Sequence, residues 1–317
     1  MFRFRRVSRR NAPSPSVVFP GWEWYAVALA AQTGWGIYPV LGRYLQTVAG
    51  LPSMSVLVLG GIPMTILMFA VILPRYGWRI YASRMLWFFG GVTVLRSITN
   101  ILSQRFTQAI YVQLIGLLTP FLVVLLNRLF LKERTPRFTL PAILLTTVGA
   151  LLMMSELGQD GGLTIALTTS DWLGIGLALT SSFFLAMYMI LVRRTVKTQA
   201  SGVAILAFQT VLIQVTALSV GLLWGESWAT WLSLGAKDWA VFVAYVLLVV
   251  LGANGLQIAA IRHLGAPMVS SLMGWRLVST LAVGMLLLGE HLTSPWQAAG
   301  MILVLGTVTW YLSQQRE

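Results

Sequence analysis

Ten apolar stretches, each about as long as a membrane-spanning helix, follow one another along this chain with little between them. They run over about 22–44, 51–73, 85–104, 108–131, 138–155, 172–193, 202–224, 239–261, 267–288 and 295–313. Crossing a hydrocarbon layer of roughly 30 Å takes about 20 apolar residues of helix, and the short connections leave no room for a soluble domain. Breaks fall at Pro52, Pro74, Lys132–Pro136, Gly158–Gly162 and Ser294–Pro295, and the division between the third and fourth stretches is the least marked. Of the 317 residues, 57% are hydrophobic and only 10% charged, whereas a soluble domain carries about 25% charged residues. The chain reads as an all-α membrane protein.

The stretches also repeat. Placing Glu133 on Glu290 superposes Ala109 on Ala266, Val112 on Val269, Leu131 on Leu288 and Gly149 on Gly306. A second alignment puts Trp22 on Trp172, Ala28 on Ala178, Tyr38 on Tyr188, Leu41 on Leu191 and Arg43 on Arg193. Each match is weak alone; their common order marks two related halves. Five helices per half is an odd number, so the second half lies upside down, an inverted repeat about an axis in the membrane plane. The organisation expected is a basic tail over 1–20, a first repeat over 21–157, an extracytoplasmic linker over 158–170 and a second repeat over 171–314.

Charge placement orients the bundle. With both termini cytoplasmic, sixteen of the 22 Lys and Arg residues fall on the inner side, five of them in the opening MFRFRRVSRR, while Arg43, Arg105 and Lys237 fall outside. That asymmetry follows the positive-inside rule and predicts a multi-pass inner-membrane protein. It also accounts for the net charge of +13 without nucleic acid as a partner; the lipid bilayer takes that role. The apolar stretch after the tail is too long, and lacks the small-residue site, for a cleaved signal peptide. Eleven of the 13 tryptophans lie near predicted helix ends, as an interfacial belt requires, and only Trp35 and Trp275 sit well inside.

The charges that remain inside carry the functional signal. Every carboxylate lies at or beyond a helix end, but Arg96 is eleven residues into the third stretch and Arg276 nine into the ninth, roughly 17 Å and 14 Å deep at 1.5 Å per residue. An arginine at mid-membrane costs on the order of 3 kcal/mol or more unless it meets water or a partner. Two readings stay open: the guanidiniums attract a carboxylate or phosphate, or they hold the fold through backbone carbonyls and buried water. Thr93, Arg96, Asn100, Ser103 and Thr107 form one polar stripe on the third helix, Asn254 and Gln257 share a face of the eighth, and Gln32, Trp35 and Tyr38 line the first. For the amides, interhelical hydrogen bonding is the competing role; for Trp35 and Tyr38 it is ordinary packing. Thr119-Pro120 predicts a kink in the fourth helix. Gly60, Gly61, Gly90, Gly91, Gly174 and Gly176 predict close helix packing, and His263 and His291 read as solvated residues at helix ends.

With no cysteine, disulfides and thiolate sites are excluded. No HExxH, GxSxG or GxxxxGK[ST] occurs, so hydrolytic enzymes and ATP-driven pumps find no support, and neither a cofactor nor a metal site is expected.

The chain resembles the drug/metabolite transporter superfamily, in its EamA-type branch. The resemblance rests on Gly34-Trp35-Gly36 through Arg43, on Arg96 with Arg105-Phe106-Thr107-Gln108-Ala109, on Leu118-Thr119-Pro120 and on Phe130-Leu131-Lys132-Glu133-Arg134. In the second half it rests on Leu264-Gly265-Ala266, Leu288-Gly289-Glu290 and Gly306. It covers about residues 22–313 and implies ten helices in inverted five-helix repeats around a cavity lined by helices 1, 3, 4, 6, 8 and 9. Arg276 stands where Thr119 stands in the first half, which breaks the internal symmetry. The function then expected is secondary or exchange transport, by alternating access, of a small anionic or zwitterionic metabolite such as an amino acid or organic acid. Arg276 and Arg96 would bind the anionic group, while Trp275, Asn100, Trp35, Tyr38 and Asn254 would shape the pocket. No acid lies at depth to carry protons, so exchange or uniport fits as well as antiport. Alternatives are a nucleotide, nucleotide-sugar or phosphate-ester carrier and a lipid scramblase or flippase of the same fold; a homodimer is compatible with either.

Overall fold

The computed structural model describes residues 21–77, 84–132, 137–157, 163–165, 167–195, 202–264, 268–269 and 272–314. The basic tail, Trp78, Arg79, Glu133, Arg134, Asp160, Lys197, Gly265-Ala266, Arg316 and Glu317 lie outside the described residues.

Helix dominates. α1 (Gly21–Thr47), α2 (Ser53–Leu67), α3 (Leu73–Tyr76), α4 (Arg84–Phe106), α5 (Ala109–Gly116), α6 (Thr119–Leu131) and α7 (Thr139–Met153) make up the first part. α8 (Thr169–Thr195), α9 (Gly202–Leu223), α10 (Ala236–Ala244), α11 (Asn254–Leu264), α12 (Trp275–Leu288) and α13 (Pro295–Gln314) follow. Among the described residues, five helical runs are long and apolar enough to cross a membrane: Ser53–Arg75, Leu86–Phe106, Ala109–Phe130, Thr169–Leu191 and Ala236–Ile261. Thr139–Met153, Ala207–Leu223 and Trp275–Leu288 are shorter apolar helices. Leu129, Leu140, Leu223, Leu286 and Ile302 stand exposed on the outside, a surface suited to lipid rather than water.

α4 packs along α8, α1 along both α12 and α11, and α5 with α6 onto α8. At the periphery α7 lies against α13 and α2 against α9. Glycine sets two of these approaches. A Cβ on Gly300 would lie 2.6 Å from the Gly149 carbonyl oxygen, and one on Gly36 would lie 2.6 Å from the Arg276 carbonyl oxygen. Without side chains at those points, the backbones of α7 and α13, and of α1 and α12, close to contact.

Several features depart from the sequence reading. The kink at Thr119-Pro120 is a full break between α5 and α6, with Pro120 in the first turn of α6, where its missing N–H leaves no bond unmade. A comparable break, not foreseen, interrupts the ninth stretch: residues 272–277 are wound by hydrogen bonds to the third residue back, and α12 proper starts only at Trp275. No proline marks that position. Met68–Ile72 and Tyr245–Ala253 are π-helical. The region read as a plain linker contains a small antiparallel pair, β1 (Ser155–Leu157) with β2 (Leu163–Ile165), so helix is not the only structure present. Trp231, assigned to the interfacial belt, is buried instead, and its Nε1 donates to Ser55 Oγ at 2.9 Å. Of the six glycines read as packing sites, Gly60, Gly61, Gly90 and Gly174 are in tight contact, whereas Gly91 and Gly176 face open space.

Candidate functional site

The seam between α1 and α12 gathers most of the residues singled out in the sequence. Three polar links lace it. Arg276 Nε donates to Gln32 Oε1 at 2.5 Å, Trp275 Nε1 donates to Thr33 Oγ1 at 2.9 Å, and Thr280 Oγ1 donates to the Gly36 carbonyl at 2.6 Å. Gln32 is fully buried and held from its other end, where Nε2 donates to the Val269 carbonyl at 3.2 Å. The guanidinium carbon of Arg276 sits 5.7 Å from the centre of the Trp35 ring. Trp35 in turn meets Tyr38 edge-on at 6.1 Å, and Tyr38 stacks on Tyr245 of the π-helical stretch at 5.9 Å. An aromatic floor therefore runs along α1 beneath the charged head of Arg276, with the cation over a ring face as its quadrupole favours.

Arg96 approaches from α4. Its guanidinium carbon is 5.8 Å from the Tyr188 ring centre on α8, and it lies within electrostatic reach of Tyr38 and of Arg276. Both arginines are partly solvent-accessible. No carboxylate pairs with either among the described residues; the one ion pair found there is Arg43–Glu290. Arg96 makes no side-chain hydrogen bond among the described residues, and Arg276 uses only its Nε. A guanidinium has five N–H groups, and on this partly accessible pair most have no acceptor among the described residues.

Arg276, Arg96, Trp35 and Tyr38 thus come to one region, whereas the Trp275 side chain is exposed and bonds Thr33. Asn100, one turn along α4 from Arg96, accepts from Gln104 Nε2 at 2.8 Å. Asn254 does not offer its donor to that space: Nδ2 bonds the Val250 carbonyl of its own helix at 2.9 Å, the competing role for an amide. Gln32, placed with Trp35 and Tyr38 by sequence, positions Arg276 through an interhelical hydrogen bond. The sequence reading left out two participants: Tyr188, which lies beside Arg96, and Tyr245, which stacks on Tyr38. The match of Tyr188 to Tyr38 in the internal alignment was the available signal for one of them.

A second polar cluster closes one end of the bundle, where α1 and α4 finish and α5 and α8 begin. Arg43 Nε lies 3.0 Å from Glu290 Oε1, and Arg43 Nη1 donates to the carbonyls of Gln104, at 3.3 Å, and Thr107. Glu290 also accepts from the backbone amides of Ala109 at 3.0 Å and Ile110 at 3.4 Å. It caps α5, whose own N-cap residue Gln108 makes no side-chain cap. Around this core, Thr107 Oγ1 donates to Asp171 Oδ1 at 2.8 Å, Tyr44 Oη donates to Asp238 Oδ1 at 2.9 Å, and Glu226 accepts from the amides of Met54 and Ser55 at 3.2 and 3.3 Å. A small hollow of about 50 Å³ opens beside Glu290, lined among others by Gln108, Tyr111, His291 and Gln297.

By sequence, residues 22–155 match the model of the EamA-like transporter family. No curated protein matches the chain. A solved structure described as "Crystal structure of protein" aligns with a TM-score of 0.62 over 93% of this chain and 98% of its own, at 15% identity. At that identity the likeness is one of fold.

Proposed function

We propose, from the match of residues 22–155 to the EamA-like transporter family, that the chain moves a small anionic or zwitterionic metabolite across the inner membrane by alternating access. Ten membrane helices in two inverted halves are the architecture this reading uses. The packing supports it. Exchanging the halves turns the α4–α8 contact into the contact of α11 and its π-helical lead with α1, and the α1–α12 contact into that of α8 with α5 and α6. The α7–α13 and α2–α9 contacts map onto themselves. The breaks before α6 and before Trp275 fall at corresponding points of the two halves, and helices interrupted near mid-membrane are a habit of secondary transporters. The cation bias supports cytoplasmic termini.

One observation carries the choice of cargo: two partly accessible guanidiniums within electrostatic reach of each other, with most of their donors lacking an acceptor and no acid paired with them among the described residues. A carboxylate or phosphate ester supplies the missing acceptors, and Trp35, Tyr38, Trp275 and Asn100 shape the space around it. Ligands that bind the folded protein raise its melting temperature by mass action, so a panel of carboxylates, amino acids, phosphate esters and organic cations separates the cargo classes. Anions stabilise the protein in this scheme and cations do not. Removing one charged hydrogen-bonding group weakens binding by about 1.5–3 kcal/mol, roughly 10- to 150-fold in Kd. Arg276→Ala produces a loss in that range, and Arg276→Lys an intermediate one because lysine lacks the planar fork. Equal affinity in wild type, Arg276→Ala and Arg96→Ala removes the role assigned to the arginines.

A further inference from the structure

The polar cluster around Arg43 lies outside the arginine site and has no part in holding cargo, yet it joins what the fold otherwise keeps apart. Arg43 ends α1, in the first half, and Glu290 follows α12, in the second. Their pairing at 3.0 Å fastens the two halves together at the end of the bundle that the charge bias places outside. Arg43 lies five residues beyond Tyr38 and eight beyond Trp35 on the same helix, roughly 8 and 12 Å along the axis. The pair therefore stands between the aromatic floor and the outer end of α1. Both side chains are largely buried, at 23% and 10% exposure.

Its construction is that of a releasable latch rather than a passive surface pair. Glu290 does two things at once: it pairs with Arg43, and it caps α5 through two amides that no side chain of the first half serves. Arg43 in turn gathers the carbonyls at the end of α4. The ends of α1, α4 and α5 are all held through the one carboxylate that follows α12. Drawing Glu290 away uncaps α5 and releases Arg43, which stays bonded to the end of α4, so both ties of the second half to the first are lost together. The titratable groups nearest the pair are Asp171, which binds Thr107 beside the Arg43 contact, and His291, whose Nδ1 lies 2.8 Å from the Gly289 carbonyl. The hollow beside Glu290 gives the carboxylate room to leave.

We propose that Arg43 and Glu290 form the latch of the outer gate, closed in this structure, and that separating them lets the site open outward. The inference rests on the alternating-access reading. Because the natural chain has no cysteine, a single one introduced by Asn100→Cys reports access to the site without a background to remove. A membrane-impermeant maleimide, added outside to right-side-out vesicles, labels this cysteine slowly when the latch is intact. Arg43→Ala and Glu290→Ala each raise the labelling rate at least tenfold. Arg43→Ala leaves the α5 cap in place and removes the pair together with the Arg43 bonds to the α4 carbonyls. Exchanging the two as Arg43→Glu with Glu290→Arg restores the pair but sets a cation at the start of α5, so labelling stays fast. Glu226→Ala, which uncaps α2 across the halves without touching the latch, leaves the rate within twofold.

Labelling unchanged in Arg43→Ala and Glu290→Ala overturns the latch, as does an equal increase in Glu226→Ala, which marks general loosening of that end. Uptake into proteoliposomes is measured alongside. A chain that carries nothing yet labels as described refutes the transport reading and keeps the latch. One that transports but labels alike in all variants does the reverse.

Discussion

Gly36→Ala is a one-carbon change whose outcome the structure fixes closely. The added Cβ would stand 2.6 Å from the Arg276 carbonyl oxygen, 2.8 Å from Ser279 Cβ and 3.0 Å from Arg276 Cα. Two of those three atoms are backbone, so no side-chain rotation relieves the overlap. Ordinary contact begins at 3.4 Å, and α1 and α12 must therefore separate by about 0.8 Å at this point. Overpacking of this kind destabilises by roughly 1–3 kcal/mol. Melting temperature falls by about 2–4 °C per kcal/mol in chains of 150–250 residues, and by less in longer ones. The same shift stretches the Arg276–Gln32 bond from 2.5 Å toward the outer limit of about 3.2 Å for an N–H···O bond, and loosens the Thr280–Gly36 link. Purified protein in detergent is melted with and without an anionic ligand, beside Gly176→Ala, a glycine on α8 with open space around it. Gly176→Ala is neutral, or stabilising by up to about 1 kcal/mol from helix propensity. Gly36→Ala melts several degrees lower and binds the ligand severalfold more weakly. If the two variants melt and bind alike, the close approach of α1 to α12 is not what holds Arg276 in position.

Two further outcomes follow from individual hydrogen bonds. Asn254→Ala changes ligand affinity by less than threefold, because its amide is spent on the Val250 carbonyl; a tenfold loss in an equilibrium binding assay returns Asn254 to the site. Trp231→Phe keeps the ring but loses the donor to buried Ser55, removing about 1 kcal/mol of stability, which a denaturation series reads as a lower midpoint with unchanged ligand affinity.

The individual helices were legible because each is a local property. The run of apolar residues that makes Leu86–Phe106 a span is contained in its own sequence. Arg96 and Arg276 were legible for a related reason: a charge within such a run is expensive wherever it points, so its presence alone signals a partner or a ligand. Proline gave the α5–α6 break its sequence mark, and the break before Trp275 has none. Asn254 looked like a ligand because spacing shows which face a residue shares, and says nothing of whether its amide turns back to a carbonyl one turn away. Trp231 looked interfacial by its neighbours along the chain, whereas the packing of its ring against Phe242 and its bond to Ser55 put it inside.

The amino-acid order alone determined that this is a helical chain of long apolar segments suited to a membrane, with two cations where lipid should be. Hydrophobic length and the place of a charge within it are each written in contiguous residues. Only the folded bundle decided that Gln32 steers Arg276, that Tyr188 lies beside Arg96, and that Glu290 reaches back to Arg43 and the start of α5. Those meetings depend on which helices lie side by side and at what height. That is set by the joint packing of surfaces such as Gly36 on the backbone of α12, and no single segment contains that information.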